Sequence, residues 1–216
     1  MKARALTTLT LAAAAVLLSP ATASAGDKDE MEVAGFGDDA TFFAYWTFGA
    51  YDGSGKVHAE LNVYSTLTGR KAEAESRSLE ADPPGPALPR LKAREAKHLE
   101  ALKLGRDRGL EMYKSGTALA TQFTVDGKKV EVRLDVRKGQ PDPDTGLRDD
   151  SVSIRLAVDG AQQTLFVGRG GWDYSLNSVR LSADHRSIAV LVKHSTRGFE
   201  GANRRYLCGA GRMARK

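Results

Sequence analysis

The sequence predicts a mainly β protein, with antiparallel meanders in two packed sheets or a partial propeller-like arrangement and one charged helical insertion. Residues 130–136 alternate between aliphatic and charged side chains, the period-two pattern of a half-buried antiparallel strand. Asp-Gly pairs at 126–127 and 159–160 each separate two β-rich runs, which is a strong hairpin signal. A helical pattern is found in residues 90–104.

The region after residue 30 predicts an antiparallel meander. We expect strands at Thr41–Ala50 and Val57–Ser65, because both runs are rich in β-branched and aromatic residues. The segments 52–55 and 66–69 contain the glycine and polar residues of turns, and the second leads into a third, more polar strand.

The helical insertion is expected near residues 88–114. The prolines between 83 and 89 predict a stiff linker that excludes regular structure. A helix should then cover Arg90–Leu104, with Gly105 as its C-cap. A shorter helical stretch is expected at Arg106–Lys114.

The remaining chain returns to strands. The Asp-Gly turn at 159–160 predicts a hairpin of Val152–Val158 with Gln162–Val167. A last hairpin should join Ser178–Leu181 to Ser187–Val192.

The first 25 residues predict a cleavable secretory signal peptide. Lys2 and Arg4 precede the apolar run Leu9–Leu18, and Ala23-Ser24-Ala25 supplies the small residues required at the cleavage site. The apolar run is shorter than the ~20 residues that span a bilayer. We therefore expect a periplasmic or secreted protein with no stable membrane span after signal cleavage. Residues 26–216 should form a single β-rich domain.

Charge and cysteine content narrow the choice of partners. The chain of 216 residues carries a net charge of +5, of which Lys2 and Arg4 leave with the signal. The remaining charges are mostly interspersed, so no nucleic-acid partner is expected. Cys208 is the only cysteine, which leaves burial or pairing between two chains as its alternatives.

No motif predicts catalytic chemistry, a metal or a cofactor. The four histidines lack the spacing of a zinc site, and the Gly-x-Ser-x-Gly elbow of hydrolases is absent. The acidic loop Asp142–Asp150 lacks the glycine and glutamate positions of an EF-type loop. A looser oxygen cage for Ca²⁺ in that loop is the alternative left open, and a solvated hairpin loop is the expectation.

Aromatic side chains on the strand Thr41–Ala50 supply the candidate binding residues. Successive side chains of a strand point to opposite faces, so Trp46 and Tyr45 cannot face the same layer. The Trp46 face carries the more apolar set and is assigned to the core. The Tyr45 face lies under the helix or forms an exposed aromatic platform, which favours recognition of proteins and glycans. On the platform hypothesis, the ligand-binding residues are Phe43, Tyr45 and Tyr51.

Two kinds of resemblance follow from these motifs. Ser182–Val190 and Phe36–Tyr45 resemble the blade turns of TolB-like and WD-type β-propellers. The order of parts is similar to that of a family of bacterial predicted secreted proteins of unknown function. It consists of signal peptide, Gly-Phe-x-x-Asp turn, aromatic strand, charged helix and a closing segment with Gly198–Gly201 and Arg204–Tyr206. The resemblance implies a periplasmic or secreted protein of a Gram-negative type of cell, and it implies no catalytic residues.

The expected function is therefore a non-enzymatic binding or interaction module. Its expected partner is a protein or glycan of the cell envelope. The alternative is a hydrolase whose site is assembled from distant loops, and a cleft in which distant polar side chains converge would favour it.

Overall fold

Strands dominate the part of the chain that the structure describes. The computed structural model describes residues 27–51, 54–82, 86–104, 108–114, 116–144, 146, 148–198 and 202–213. The predicted signal peptide lies outside these residues. The elements within them are β1 (Glu30–Phe36), β2 (Phe42–Ala50), β3 (Val57–Ser65), β4 (Arg77–Ala81), α1 (Ala87–Arg94), α2 (Ala96–Ala101), β5 (Leu110–Lys114), β6 (Ala120–Val125), β7 (Lys128–Arg137), β8 (Asp150–Val158), β9 (Ala161–Leu181), β10 (Ser187–Arg197) and β11 (Ala202–Arg212).

The strands form two antiparallel sheets, so the prediction of a mainly β fold with two packed sheets is confirmed. One sheet is the four-stranded meander β1-β2-β3-β4. The other has the order β11-β10-β9-β8-β7-β6, with β5 added beside β9, and it curls into a half-barrel. Asp126 and Gly127 have φ angles of 50° and 73°, as a type I′ hairpin turn requires. Asp159 and Gly160 repeat this at 48° and 84°.

The curl of the larger sheet depends on one long strand. β9 spans 21 residues, where the sequence predicted two separate strands at 162–167 and 178–181. Its first half pairs with β8, and its second half pairs with β10 and β5. Near the middle Gly170 has a φ of 108° and the register shifts beside Asp150. Gly170 is therefore the extra residue of a β-bulge, which bends a strand and increases its local twist without ending it.

Three apolar clusters lie between successive layers of the fold. The half-barrel core fills the curled sheet, with Ile154, Leu176 and Val190 among its buried members. The sheet–sheet core lies between the two sheets and joins Phe43 and Tyr45 to small residues of β10 and β11. The helix core lies on the far side of the small sheet, between α1 and residues such as Trp46 and Leu61. β2 and β10 are consequently covered on both faces.

The helical insertion is shorter and begins earlier than the sequence predicted. α1 starts at Ala87 and contains Pro89 in its first turn, so the prediction that this proline lies in a linker without regular structure was wrong. The first amides of a helix have no intrahelical acceptor, and proline therefore costs no hydrogen bond there. Ala87, Leu88 and Leu91 are buried against the small sheet.

The predicted second helical stretch is a strand. Leu110–Lys114 forms β5 and pairs with the second half of β9. The sequence favours neither form strongly, and the open edge of β9 offers backbone partners that an isolated helical turn would lack. Gly105, the predicted C-cap, lies outside the described residues.

Candidate functional site

Two of the three aromatic residues predicted to bind a ligand are buried between the sheets. Phe43 is 0% and Tyr45 1% exposed. Phe43 contacts Phe36 with ring centroids 4.9 Å apart, and Tyr45 stacks on Tyr64 at 6.1 Å. Burial raises the pKa of Tyr45 well above its ordinary value. An exposed aromatic platform, one of the two alternatives for the Tyr45 face, is therefore not present at these two positions.

Tyr51 lies apart from them, at the end of the small sheet. Its half-buried ring stacks on His58 with centroids 4.4 Å apart. The His58 Nε2 lies 2.9 Å from Asp29 Oδ1, and the Arg205 Nη1 lies 2.8 Å from the same oxygen. Ligand binding by Tyr51 stays a prediction, and it is the one of the three whose side chain a ligand can reach.

The cluster around Asp29 connects distant parts of the chain. Residues 27–29 run parallel to β11, where Asp29 N donates to Arg204 O and Arg204 N donates to Asp27 O. The guanidinium of Arg205 binds the carboxylates of both Asp27 and Asp29. Paired charges on a buried edge fix one segment against another. These contacts attach the start of the described chain to the edge of the larger sheet.

A groove on the open face of the half-barrel is a better candidate for ligand binding than the aromatic residues of β2. We call it the outer groove. Three contiguous hollows of about 150, 550 and 570 Å³ compose it. The first two share Asp135 and Arg155, and the second and third share Thr164 and Val167. It therefore continues from the face of β7 and β8 over β9 to the turn after β3.

The register of the strands places polar groups in rows along this groove. On adjacent strands Arg137 lies opposite Ser151, and Asp135 lies opposite Ser153. Arg133 and Arg155 lie opposite each other in the next row. Neighbouring strands are about 4.8 Å apart, so these side chains form one continuous surface. The alternation of β7 and β8 sends their aliphatic side chains to the half-barrel core and these polar ones outward.

Positive charge exceeds negative charge in the outer groove. Arg155 pairs with Asp135 at 2.6 Å, and Arg133 pairs with Glu131 at 3.0 Å. Among the described residues, the side chains of Arg137 and Arg70 have no ion-pair or hydrogen-bond partner. Two guanidinium groups in separate parts of the groove are therefore available to a ligand.

The third hollow of the outer groove contains apolar side chains as well as charged ones. Val167 is 72% exposed, and the rings of Phe166 and Tyr64 line the same hollow. Lys71 lies at its rim and pairs with Glu60 at 2.6 Å. Sequence reasoning missed this end of the site, because β9 and the turn after β3 lie far apart in sequence and meet only through packing of the sheets.

The last carboxylate of the acidic loop Asp142–Asp150 is bound within the protein. Asp150 is 2% exposed, accepts a hydrogen bond from Gly139 N at 3.0 Å and pairs with Arg148 at 2.9 Å. Within the described residues no group of three or more His, Cys, Asp or Glu side chains is placed to hold a metal ion. Cys208 is buried, which was one of the two alternatives, the other being pairing between two chains.

The fold and the outer groove define a layered, two-sheet β protein with a cationic groove on its open sheet face. Residues 44–212 match the family described as "Predicted secreted protein (DUF2259)", so the chain belongs to this family of predicted secreted proteins of unknown function. The match confirms the resemblance to secreted proteins, whereas no likeness to propellers is shown. No curated protein and no solved structure matches. None of the helices in the described ranges is long and apolar enough to cross a membrane.

Proposed function

We propose that this protein is a non-enzymatic module of the cell envelope or its surroundings that binds an extended anionic glycan in the outer groove. The observation that supports this most is the continuous groove with two unpaired guanidinium groups, Arg137 and Arg70, in its separate parts. A linear anionic glycan carries acidic groups at regular intervals, so one molecule can bind Arg137 and Arg70 at the same time.

The groove chemistry suits a carbohydrate acid. A guanidinium binds a carboxylate through two parallel hydrogen bonds. Ser151, Ser153 and Thr164 line the same groove, and a hydroxyl both donates and accepts, as sugar hydroxyls require. Val167 and Phe166 offer apolar surface on which the face of a sugar ring can pack.

The hydrolase alternative is best represented by the part-buried pair of His58 and Asp29. His58 and Asp29 come from distant segments and lie 2.9 Å apart, as a general base and its orienting carboxylate would. Among the described residues, the buried Nδ1 of His58 has no hydrogen-bond partner, and a nucleophile must lie within about 3 Å of its base. Tyr51 instead stacks on His58, and Arg205 binds Asp29. This geometry supports binding better than hydrolysis.

A binding titration with polygalacturonate, a linear uronic acid polymer, tests the proposal. Arg137→Gln and Arg70→Gln should each weaken binding about tenfold, the equivalent of one lost charge-assisted contact. Arg90→Gln is the matched control, because it removes the same charge from an exposed position on α1. Raising the salt concentration should weaken binding by the wild type.

Neutral dextran separates charge recognition from general adhesion to polysaccharide. We expect no saturable binding of dextran at concentrations where polygalacturonate saturates. Equal affinity for the two polymers, or equal losses in all three variants, would overturn the proposal.

A further inference from the structure

A second hollow, separate from the outer groove, opens at the edge of the sheet–sheet core. We call it the edge cleft. It has a volume of about 350 Å³ and lies between β1 on one side and β5 with the end of β9 on the other. Met31 and Val33 form an apolar wall and pack against the sheet–sheet core. Ligand sites are typically concave, largely apolar and of about this size.

A buried hydroxyl without a partner lies in this cleft. Ser178 is 4% exposed, and its Oγ has no hydrogen-bond partner among the described residues. Leaving a buried hydroxyl unpaired opposes folding. The Ser178 hydroxyl is therefore a polar group that a bound ligand can satisfy.

The strand is irregular at this point. Leu191 lies opposite Ser178, whereas the next residue of β10 lies opposite Leu176. Asn177 is thus the extra residue of a β-bulge, and it lines the same cleft. Bulges redirect side chains and are frequent beside binding sites.

Three cationic residues line the same hollow: Arg108, Lys114 and Arg180. The side chain of Arg180 is 16% exposed and binds Glu111 at 2.6 Å through Nη2. Its Nε is buried and has no partner among the described residues. Lys114 lies opposite Ser178 on β5 and forms no ion pair within the described part of the chain.

The acidic groups of the cleft are already occupied. Glu111 is bound by Arg180, and Glu32 is bound by Lys92 of α1 at 2.7 Å. The Ser178 hydroxyl, the Arg180 Nε and the Lys114 ammonium are donors of the cleft that have no acceptor among the described residues. Their residues line the same hollow as Met31 and Val33.

We infer that the edge cleft binds a small carboxylic acid with a short apolar chain. The carboxylate accepts hydrogen bonds from Ser178, Arg180 and Lys114, and the apolar chain lies against Met31 and Val33. A carboxylate accepts several hydrogen bonds at once, which matches three convergent donors. The inference does not depend on the outer groove, which shares no lining residue with this cleft.

Calorimetric titration with octanoate, and with octan-1-ol as its neutral analogue, tests the inference. Octanoate should bind saturably and raise the melting temperature, and octan-1-ol should bind at least about tenfold more weakly because it cannot pair with the cations. Ser178→Ala and Lys114→Gln should each weaken octanoate binding about tenfold. Lys97→Gln, at an exposed position of α2, is the matched control for charge.

Folding and binding are separated by the behaviour of the serine variant. Ser178→Ala should melt at the same temperature as the wild type or higher, because it removes an unpaired buried hydroxyl. Arg137→Gln in the outer groove should leave octanoate binding unchanged, so the two sites fail or succeed independently. Absence of saturable octanoate binding by the wild type, or undiminished binding by both Ser178→Ala and Lys114→Gln, would refute the inference.

Discussion

β2 and β7 are both strands that the sequence identifies, yet only one of them shows which of its faces is buried. β7 alternates, and its aliphatic residues Val130, Val132 and Leu134 are 0%, 0% and 3% exposed. β2 carries apolar side chains on both faces, and Tyr45 and Trp46 are 1% and 2% exposed. A clean alternation predicts the buried face, whereas an apolar strand without alternation predicts only that two layers cover it.

The two layers that cover β2 are the reverse of those expected. The Trp46 face was assigned to the main core, but it lies under α1, where Lys92 stands 5.9 Å from the centre of the indole ring. The Tyr45 face packs against the larger sheet instead. Ala189 and Ala210 leave room there for the aromatic rings, and their partner strand could not be identified from β2 alone.

The largest effect on stability is expected from truncating a large side chain on either face of β2. Tyr45→Ala and Trp46→Ala should each lower the free energy of unfolding by about 3–5 kcal/mol, because each removes a large side chain from a closed core. Denaturant titration of both variants measures this. Tyr45→Phe keeps the ring and its stack on Tyr64, and should cost about 1 kcal/mol or less. A loss below about 1 kcal/mol for either alanine variant would show that one face is open.

A smaller effect is expected where the doubly covered strand β10 reaches the end of the core. Burial lowers the pKa of His194 to about 4, and the Arg205 guanidinium adds to this effect. The unfolded chain titrates at the ordinary value of 6.5, so below that pH it binds a proton that the folded protein does not. Stability should therefore fall as the pH drops from 6.5 to 4, by roughly 2 kcal/mol, since solvent screens the exposed part of the ring.

The variant His194→Phe isolates this contribution. It keeps an aromatic ring against Tyr174, whose ring lies 5.2 Å from that of His194, but it cannot titrate. Urea unfolding at several pH values should show a shallower loss of stability in the variant between pH 6.5 and 4. An identical pH dependence in both proteins would contradict the assigned pKa.

The smallest effect is expected on the open face of the half-barrel. Arg155 and Leu156 are neighbours on β8 that face opposite sides, the first exposed and the second buried. Arg155→Gln should cost about 0.5 kcal/mol, because its ion pair with Asp135 is largely solvated. Leu156→Ala should cost about 2–5 kcal/mol. Similar losses in the two variants would mean that a further layer covers the outer groove in solution.

The sequence by itself determined the local elements of this protein. The alternation of β7 and the Asp-Gly pairs at 126–127 and 159–160 predicted hairpins that the structure contains, because turn geometry and side-chain period act over a few residues. It also supplied the resemblance to secreted proteins. It did not predict that Leu110–Lys114 is a strand, since only the free edge of β9 makes it one.

Only the tertiary structure decided which layers meet and where the binding surfaces lie. The bend of β9, the burial of Tyr45 and the unpaired hydroxyl of Ser178 all depend on which strands pack against one another. Burial is a property of two surfaces in contact, and the second surface comes from residues far away in the chain. For that reason the sequence left open which layer covers Phe43 and Tyr45, and the structure places both between the sheets. The outer groove and the edge cleft likewise depend on how the sheets pack.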